Sequence, residues 1–278
     1  MKPTANIPIL AAKQLSFAIG KHKLLTGVDL EVFPGQLTAV LGANGAGKST
    51  LFRLLSGEKR PSEGNIQFQG KPLSSYSPKS LSKGRAVLPQ SSHLTFPFTV
   101  EQVVEMGRIP HQDAARKTRE IVLEALTLTR TDHLLGRSYP SLSGGEQQRV
   151  QLARVLSQIW EESDGPRLLM LDEPTSSLDL AHQYEMLQMV QKFARQGCGV
   201  LAILHDLNLA AQYAQQLICL KHGKVVASGT VSEVLTPENI HHTFGQEVRV
   251  IPHPEMECPL IVPIPSSIYQ PHKPYAKA

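Results

Sequence analysis

The sequence predicts an α/β protein with a largely parallel sheet, and three observations carry that prediction. Short β-rich runs alternate with segments of helical spacing, the order that βαβ units impose. A continuous apolar run at 37–41 ends at a glycine-rich turn and leads directly into a helical pattern at 48–56. Between about 99 and 141 the strand signal disappears, which reads as a helical insertion in an otherwise α/β domain.

Taken in order, the runs 9–19 and 28–33, broken by Gly20 and Gly27, read as antiparallel strands. The buried strand 37–41 and the helix 48–56 follow, then strands at 64–68 and 85–88. In the insertion, 100–106 and 117–128 have helical spacing, with Ile121, Ala125 and Leu128 at i, i+4 and i+7. A helix over 144–160 carries Leu152, Ala153, Leu156, Ile159 and Trp160 as one apolar stripe, a core face. The runs 167–171 and 200–204 are buried strands separated by a helix over 181–194. A hairpin signal follows at 217–220, His222-Gly223 and 225–227. Beyond Ile251 the prolines at 252, 254, 259, 263, 265, 271 and 274 predict an extended tail on the surface.

With 278 residues the chain has room for one large domain or two small ones. Lys plus Arg is 28 against 24 Asp plus Glu, and an excess of +4 is too slight to argue for nucleic acid. No apolar run approaches the ~18 residues of a membrane span, and residues 1–10 lack the apolar core of a signal peptide. Cys198, Cys219 and Cys258 lie far apart without a CxxC pair, so neither a disulfide framework nor a zinc site is expected, and a reducing compartment fits.

Gly42-Ala43-Asn44-Gly45-Ala46-Gly47-Lys48-Ser49-Thr50 joins a buried strand to a helix, which is G-x-x-x-x-G-K-[ST] in its required context. Glycines let the backbone curl until several N–H groups point inward at phosphate oxygens, and the helix N-terminus adds partial positive charge. Lys48 can reach the β- and γ-phosphates, and the Ser49 hydroxyl can ligate Mg²⁺. The run 168–173 is an apolar strand ending in Asp172-Glu173. At such a strand end in a P-loop protein, the Asp holds Mg²⁺, and Glu173 is placed to polarise an attacking water. Leu142-Ser143-Gly144-Gly145-Glu146-Gln147-Gln148-Arg149 precedes a helix and offers a second anion site of small residues and free N–H groups.

These segments, followed by His205, occur in the order and spacing of the ATP-binding-cassette (ABC) ATPases, and the chain resembles that family over about residues 7–245. The resemblance implies an ABC ATPase core at 7–245 with an N-terminal antiparallel β subdomain and a helical insertion at about 95–145, leaving 246–278 as the proline-rich tail. It implies catalytic roles for Glu173, His205, Gln90 and Lys48, and Mg²⁺ ligation by Ser49, Gln90 and Asp172. ATP would lie against residues 42–50 and Ile19, the position of the adenine-stacking residue. Ser143, Gly144 and Gly145 match the signature loop, which grips ATP bound to the other subunit, and Ser176-Ser177-Leu178-Asp179 matches the loop that crosses the dimer interface.

Two departures stand out. The commonest signature has Gln where this chain has Glu146, and an aromatic side chain is expected where it has Ile19, with Phe17 as the neighbouring alternative. With one cassette and no membrane span, the resemblance implies a head-to-tail homodimer docked on two copies of a separate permease, peripheral to the inner membrane on its cytoplasmic side and served by a periplasmic binding protein. Phe96-Pro97-Phe98-Thr99-Val100, Met106-Gly107-Arg108-Ile109-Pro110-His111, Asp179-Leu180-Ala181-His182-Gln183 and Val250-Ile251-Pro252-His253-Pro254 are similar to the iron-chelate and haem importer branch. Within it, the first segment most resembles the haem importer ATPases of Gram-negative bacteria; ferric-siderophore and cobalamin importers are the near alternatives. The soluble ABC proteins of DNA repair and translation carry coiled-coil insertions or two cassettes, and this sequence has neither. His241-His242 follows a helical stretch and reads as a surface pair, not as a haem ligand.

Overall fold

The computed structural model describes residues 7–90, 94, 96–161, 165–176 and 178–265. β1 (Leu10–Ile19) and β2 (His22–Val32) pair as an antiparallel hairpin. β2 starts earlier than the sequence pattern indicates, because Gly27 at φ 59° is accommodated inside the strand and does not end it. β3 (Leu37–Gly42), buried at every position, leads into α1 (Lys48–Leu55). β4 (Glu63–Phe68), β5 (Lys71–Pro72), α2 (Pro78–Gly84) and β6 (Arg85–Leu88) follow. The helices α3 (Val100–Glu105), α4 (Ala115–Leu128) and α5 (Gly144–Gln158) come next. The chain returns through β7 (Leu168–Asp172), α6 (Leu180–Ala194), β8 (Gly199–Ile203), α7 (Leu207–Tyr213), β9 (Gln216–Lys221) and β10 (Lys224–Thr230). It closes with α8 (Val231–Val234), α9 (Pro237–Phe244), β11 (Val248–Pro252) and β12 (Pro259–Pro263).

Two larger sheets result. One is six-stranded in the order β10-β9-β3-β8-β7-β6, parallel except for β10 at its edge. The other is antiparallel, in the order β2-β1-β4-β5. Strands covered on both faces read as unbroken apolar runs, and β3, β7 and β8 do so because a core lies on each side. Leu169 and Leu171 of β7 face one core with Met186 and Phe193 of α6, while Leu168 and Met170 face the other with Leu51 of α1 and Phe68 of β4. The α/β core with an antiparallel β layer and helical segment is therefore the architecture that the sequence predicts.

The helix over 144–158 differs from its expected single stripe. Leu152, Leu156 and Ile159 enter the core on the parallel sheet, whereas Val150 and Ala153 join a third core with Val103, Val122, Leu126 and Tyr139; Trp160 borders both. α5 thus ties the helical segment to the sheet, and the position of its N-terminus is set by both.

The proline-rich segment also differs from the extended surface chain that its composition indicates. Residues 248–263 form the antiparallel hairpin β11–β12, with Val248 and Ile261 buried. Pro252, Pro259 and Pro263 sit at strand ends, where a missing N–H costs least. The remainder of that segment, 266–278, lies outside the described residues. Among the described residues no helix is long and apolar enough to cross a membrane.

Candidate functional site

The C-terminal ends of β3, β6, β7 and β8 lie along one edge of the parallel sheet, where open α/β sheets place ligands. At the end of β3 the loop 42–50 turns on its glycines. A Cβ on Gly42 would stand 2.4 Å from the Leu220 carbonyl oxygen, and one on Gly47, at φ 105°, would stand 2.9 Å from a Leu25 methyl group. Gly223, in the β9–β10 turn, donates its N–H to the Ala46 carbonyl at 2.9 Å and so braces the loop from behind. Ala43, Asn44 and Gly45 are exposed. Gly47 caps α1 without a side-chain hydrogen bond, which leaves leading N–H groups of the helix available to an anion. Ser49 and Thr50 occupy the first turn, Ser49 exposed and Thr50 half-buried.

Lys48 is buried, and its Nζ donates to the carbonyls of Gly42 at 2.7 Å and Ala43 at 3.2 Å. Burial lowers its pKa below the usual lysine value, and the charges of Glu173 and Asp172 oppose that shift.

Gln90, Glu173 and His205 follow three adjacent strands and meet. Gln90 Nε2 donates to Glu173 Oε2 at 2.6 Å, and His205 Nε2 stands 2.5 Å from Glu173 Oε1. Glu173 has φ 52°, a conformation uncommon for a side-chain-bearing residue, and strain of that kind clusters at functional sites. Beside it, Asp172 Oδ1 is buried with no hydrogen-bond partner among the described residues. Burial raises the Asp172 pKa above the usual carboxylate value, and the Glu173 charge adds to the rise.

The residues matched to the signature and interface loops pair locally instead. Ser143 caps α5: its N–H and its hydroxyl both donate to Glu146 Oε2 at 2.8 Å, and Glu146 N–H returns a bond to the hydroxyl at 3.3 Å. These bonds, the Ser143 N–H first, hold the Glu146 carboxyl below its ordinary range. Glu146 therefore turns back onto its own helix end, with Arg137 3.8 Å away. A Cβ on Gly144 would meet nothing within 4 Å, and one on Gly145 would touch Leu178 at 3.4 Å. Asp179 caps α6 and pairs with His182 Nδ1 at 2.7 Å. Ser176 donates its N–H and its hydroxyl to the Glu173 carbonyl, while Ser177 lies outside the described residues. Ile19 is 56% exposed. Phe17 packs on the second core with Lys59 Nζ 5.4 Å from its ring centre.

Two supports escaped the sequence reading. Gly223 was visible as a hairpin turn, but its contact with the loop depends on β9 lying beside β3. Asp206 accepts from the N–H groups of Asn208 and Leu209 and so starts α7 immediately after His205. An Asp before an apolar helical run is a readable cap signal.

The model of the ABC transporter family matches residues 25–176. The hemin import ATP-binding protein HmuV of Gloeobacter violaceus is 49% identical over 267 residues, 95% of this chain and 97% of its own length. The chain belongs to the ABC transporter family. The HmuV protein of Pseudomonas aeruginosa is also 49% identical, over 91% of this chain and 99% of its own. Among solved structures, an inward-facing ABC transporter assigned to the metal-chelate type superposes with a TM-score of 0.79 at 28% identity, covering 94% of this chain and 99% of that one. As an ABC ATPase the chain binds and hydrolyses ATP.

Proposed function

We propose that the chain is the ATP-hydrolysing subunit of a haem importer. It works as a head-to-tail homodimer on two copies of a separate membrane permease, at the cytoplasmic face of the inner membrane, with a periplasmic binding protein delivering haem. Its relatives named for hemin import match nearly the whole chain. The single observation that carries the chemistry is the convergence of Gln90 and His205 on the two carboxylate oxygens of Glu173.

In this reading the N–H groups of residues 42–50 receive the phosphates of ATP, and Lys48 moves from the Gly42 and Ala43 carbonyls to the β- and γ-phosphates. Mg²⁺ fits the donor set: the buried Asp172 Oδ1 has no partner among the described residues, and this ion is usually held by one or two carboxylates with substrate phosphates. Asp172, Ser49 and Gln90 would hold it, and when bound it neutralises phosphate charge. Glu173 accepts a proton from the attacking water, with its carboxylate oriented by Gln90 and His205. His205 also reaches the γ-phosphate. Ser143, Gly144, Gly145 and Asp179 act on ATP held by the other subunit.

The test is to purify the chain with its permease and measure ATP-dependent uptake into vesicles of haem against a ferric siderophore and cobalamin. Uptake of haem alone is the expected result. Transport of a siderophore or cobalamin without haem would overturn the substrate assignment and keep the ATPase assignment.

A further inference from the structure

α7 presents two amide side chains to the β11–β12 hairpin, Asn208 and Gln212, four residues apart and so on one helical face. Asn208 Oδ1 accepts from the Ile261 N–H at 2.8 Å, and Asn208 Nδ2 donates to the Ile261 carbonyl at 3.2 Å. A side-chain amide carries the same donor and acceptor as a peptide group, so Asn208 occupies the outer edge of β12 as one residue of a further strand would. One turn later, Gln212 Nε2 donates to Met256 Sδ at 3.0 Å, in the connection between the two hairpin strands.

The hairpin is itself anchored. Val248 and Ile261 are buried in the core that also holds Leu209 and Ala210 of α7. By contrast, α7 has only seven residues, too few for a helix to hold itself. It starts at Asp206, the neighbour of His205. Asn208 joins the two: its backbone N–H bonds to Asp206 Oδ1 at 2.7 Å, and its side chain bonds to β12. Without the Asn208 amide pair, the first turn of α7 would be held by its Asp206 cap and the packing of Leu209 and Ala210, and a shift there passes directly to the adjoining His205.

We propose that Asn208 is a positioning residue for ATP hydrolysis, fixing the His205–Asp206 turn against the C-terminal hairpin so that the imidazole meets the Glu173 carboxylate. The hairpin, which lies outside the matched family region 25–176, thereby becomes part of the hydrolytic machinery. The inference rests on the reading that His205 and Glu173 act in hydrolysis.

The experiment is a double-mutant cycle on the full-length chain in its permease complex. Asn208→Ala should slow hydrolysis about 10- to 100-fold, the scale of a misplaced reacting group, with ATP affinity held within about twofold. In a His205→Ala background the same change should add nothing, because the group it positions is gone. Asn208→Asp keeps the acceptor for the Ile261 N–H and loses the donor; it should give an intermediate rate, and it runs the same cycle if the alanine variant does not fold. Full-rate hydrolysis by Asn208 variants would overturn the proposal. So would an equal slowing with and without His205, which would mark a general loss of structure. A His205→Ala enzyme that hydrolyses normally would overturn this inference and the catalytic reading together, whereas a slow one with an additive Asn208 effect overturns this inference alone.

Discussion

At the ends of β6, β7 and β8 the reactive side chains bond to one another across long stretches of sequence, Gln90 to Glu173 over 83 residues. At the starts of α5 and α6 they bond within three residues, Ser143 to Glu146 and Asp179 to His182. The first region exists only when the parallel sheet is in register. The second consists of helix caps that form wherever a helix begins, and it leaves exposed polar groups facing outward. In the proposed reading, Lys48, Asp172 and Glu173 act on ATP of their own subunit, and Ser143, Gly144, Gly145 and Asp179 act on ATP of the second subunit.

The change expected to break the first region most severely is Glu173→Gln. It keeps the shape, leaves a single oxygen to accept from Gln90 or His205, and removes the proton-accepting carboxylate. Hydrolysis in the permease complex should fall roughly 10²–10⁴-fold with ATP affinity retained. A near-normal rate would mean that another group, Gln90 first, orients the water.

The contrast between the regions is sharpened by mixing subunits. Lys48→Ala disables the phosphate loop, and Ser143→Arg blocks the signature loop, so neither homodimer should hydrolyse ATP at an appreciable rate. In a heterodimer of the two, one site combines both defects and the other combines both intact parts. Hydrolysis should then return to about half the wild-type rate per dimer, the arithmetic of one working site out of two. If each site lay within one subunit, mixing would restore nothing.

What could be read in the sequence divides along the same line. The loop 42–50, the strand end at Asp172-Glu173 and the cap at Ser143 are contiguous patterns whose chemistry follows from spacing, and each was legible. The order of motifs put Gln90 and His205 in the site, but that both bond to Glu173, each at a separate oxygen, was not expected from the sequence and depends on the side-by-side packing of β6, β7 and β8. The hairpin at 248–263 was masked by its prolines. The alternation of Val248, Arg249, Val250 and Ile251 was present, but proline content outweighed it until the strand-end placement of those prolines was seen. A carboxylate at Glu146 beside a phosphate-binding turn reads as unfavourable unless it points away, and its bonds to Ser143 are the part that the sequence did not show.

The smallest predicted effect concerns Ile19, which lies outside both regions. Ile19 is exposed at the tip of β1, and Phe17, the aromatic side chain near it, is packed against the core beneath Lys59. The position matched to base stacking thus carries an aliphatic side chain, and wild-type affinities for ATP and GTP should differ by less than about 1 kcal/mol. Ile19→Tyr supplies an exposed ring and should tighten ATP binding by about 0.5–1.5 kcal/mol, roughly 2- to 13-fold. Because stacking adds to binding in the ground and transition states alike, the maximal hydrolysis rate should stay unchanged while the ATP concentration giving half that rate falls. Competition binding of ATP and GTP to wild type and Ile19→Tyr makes the measurement. A strong adenine preference in the wild type that disappears in Phe17→Ala would show that Phe17 leaves its seat under Lys59 to reach the base. The same preference surviving both Phe17→Ala and Ile19→Ala would place base recognition elsewhere and remove β1 from the site.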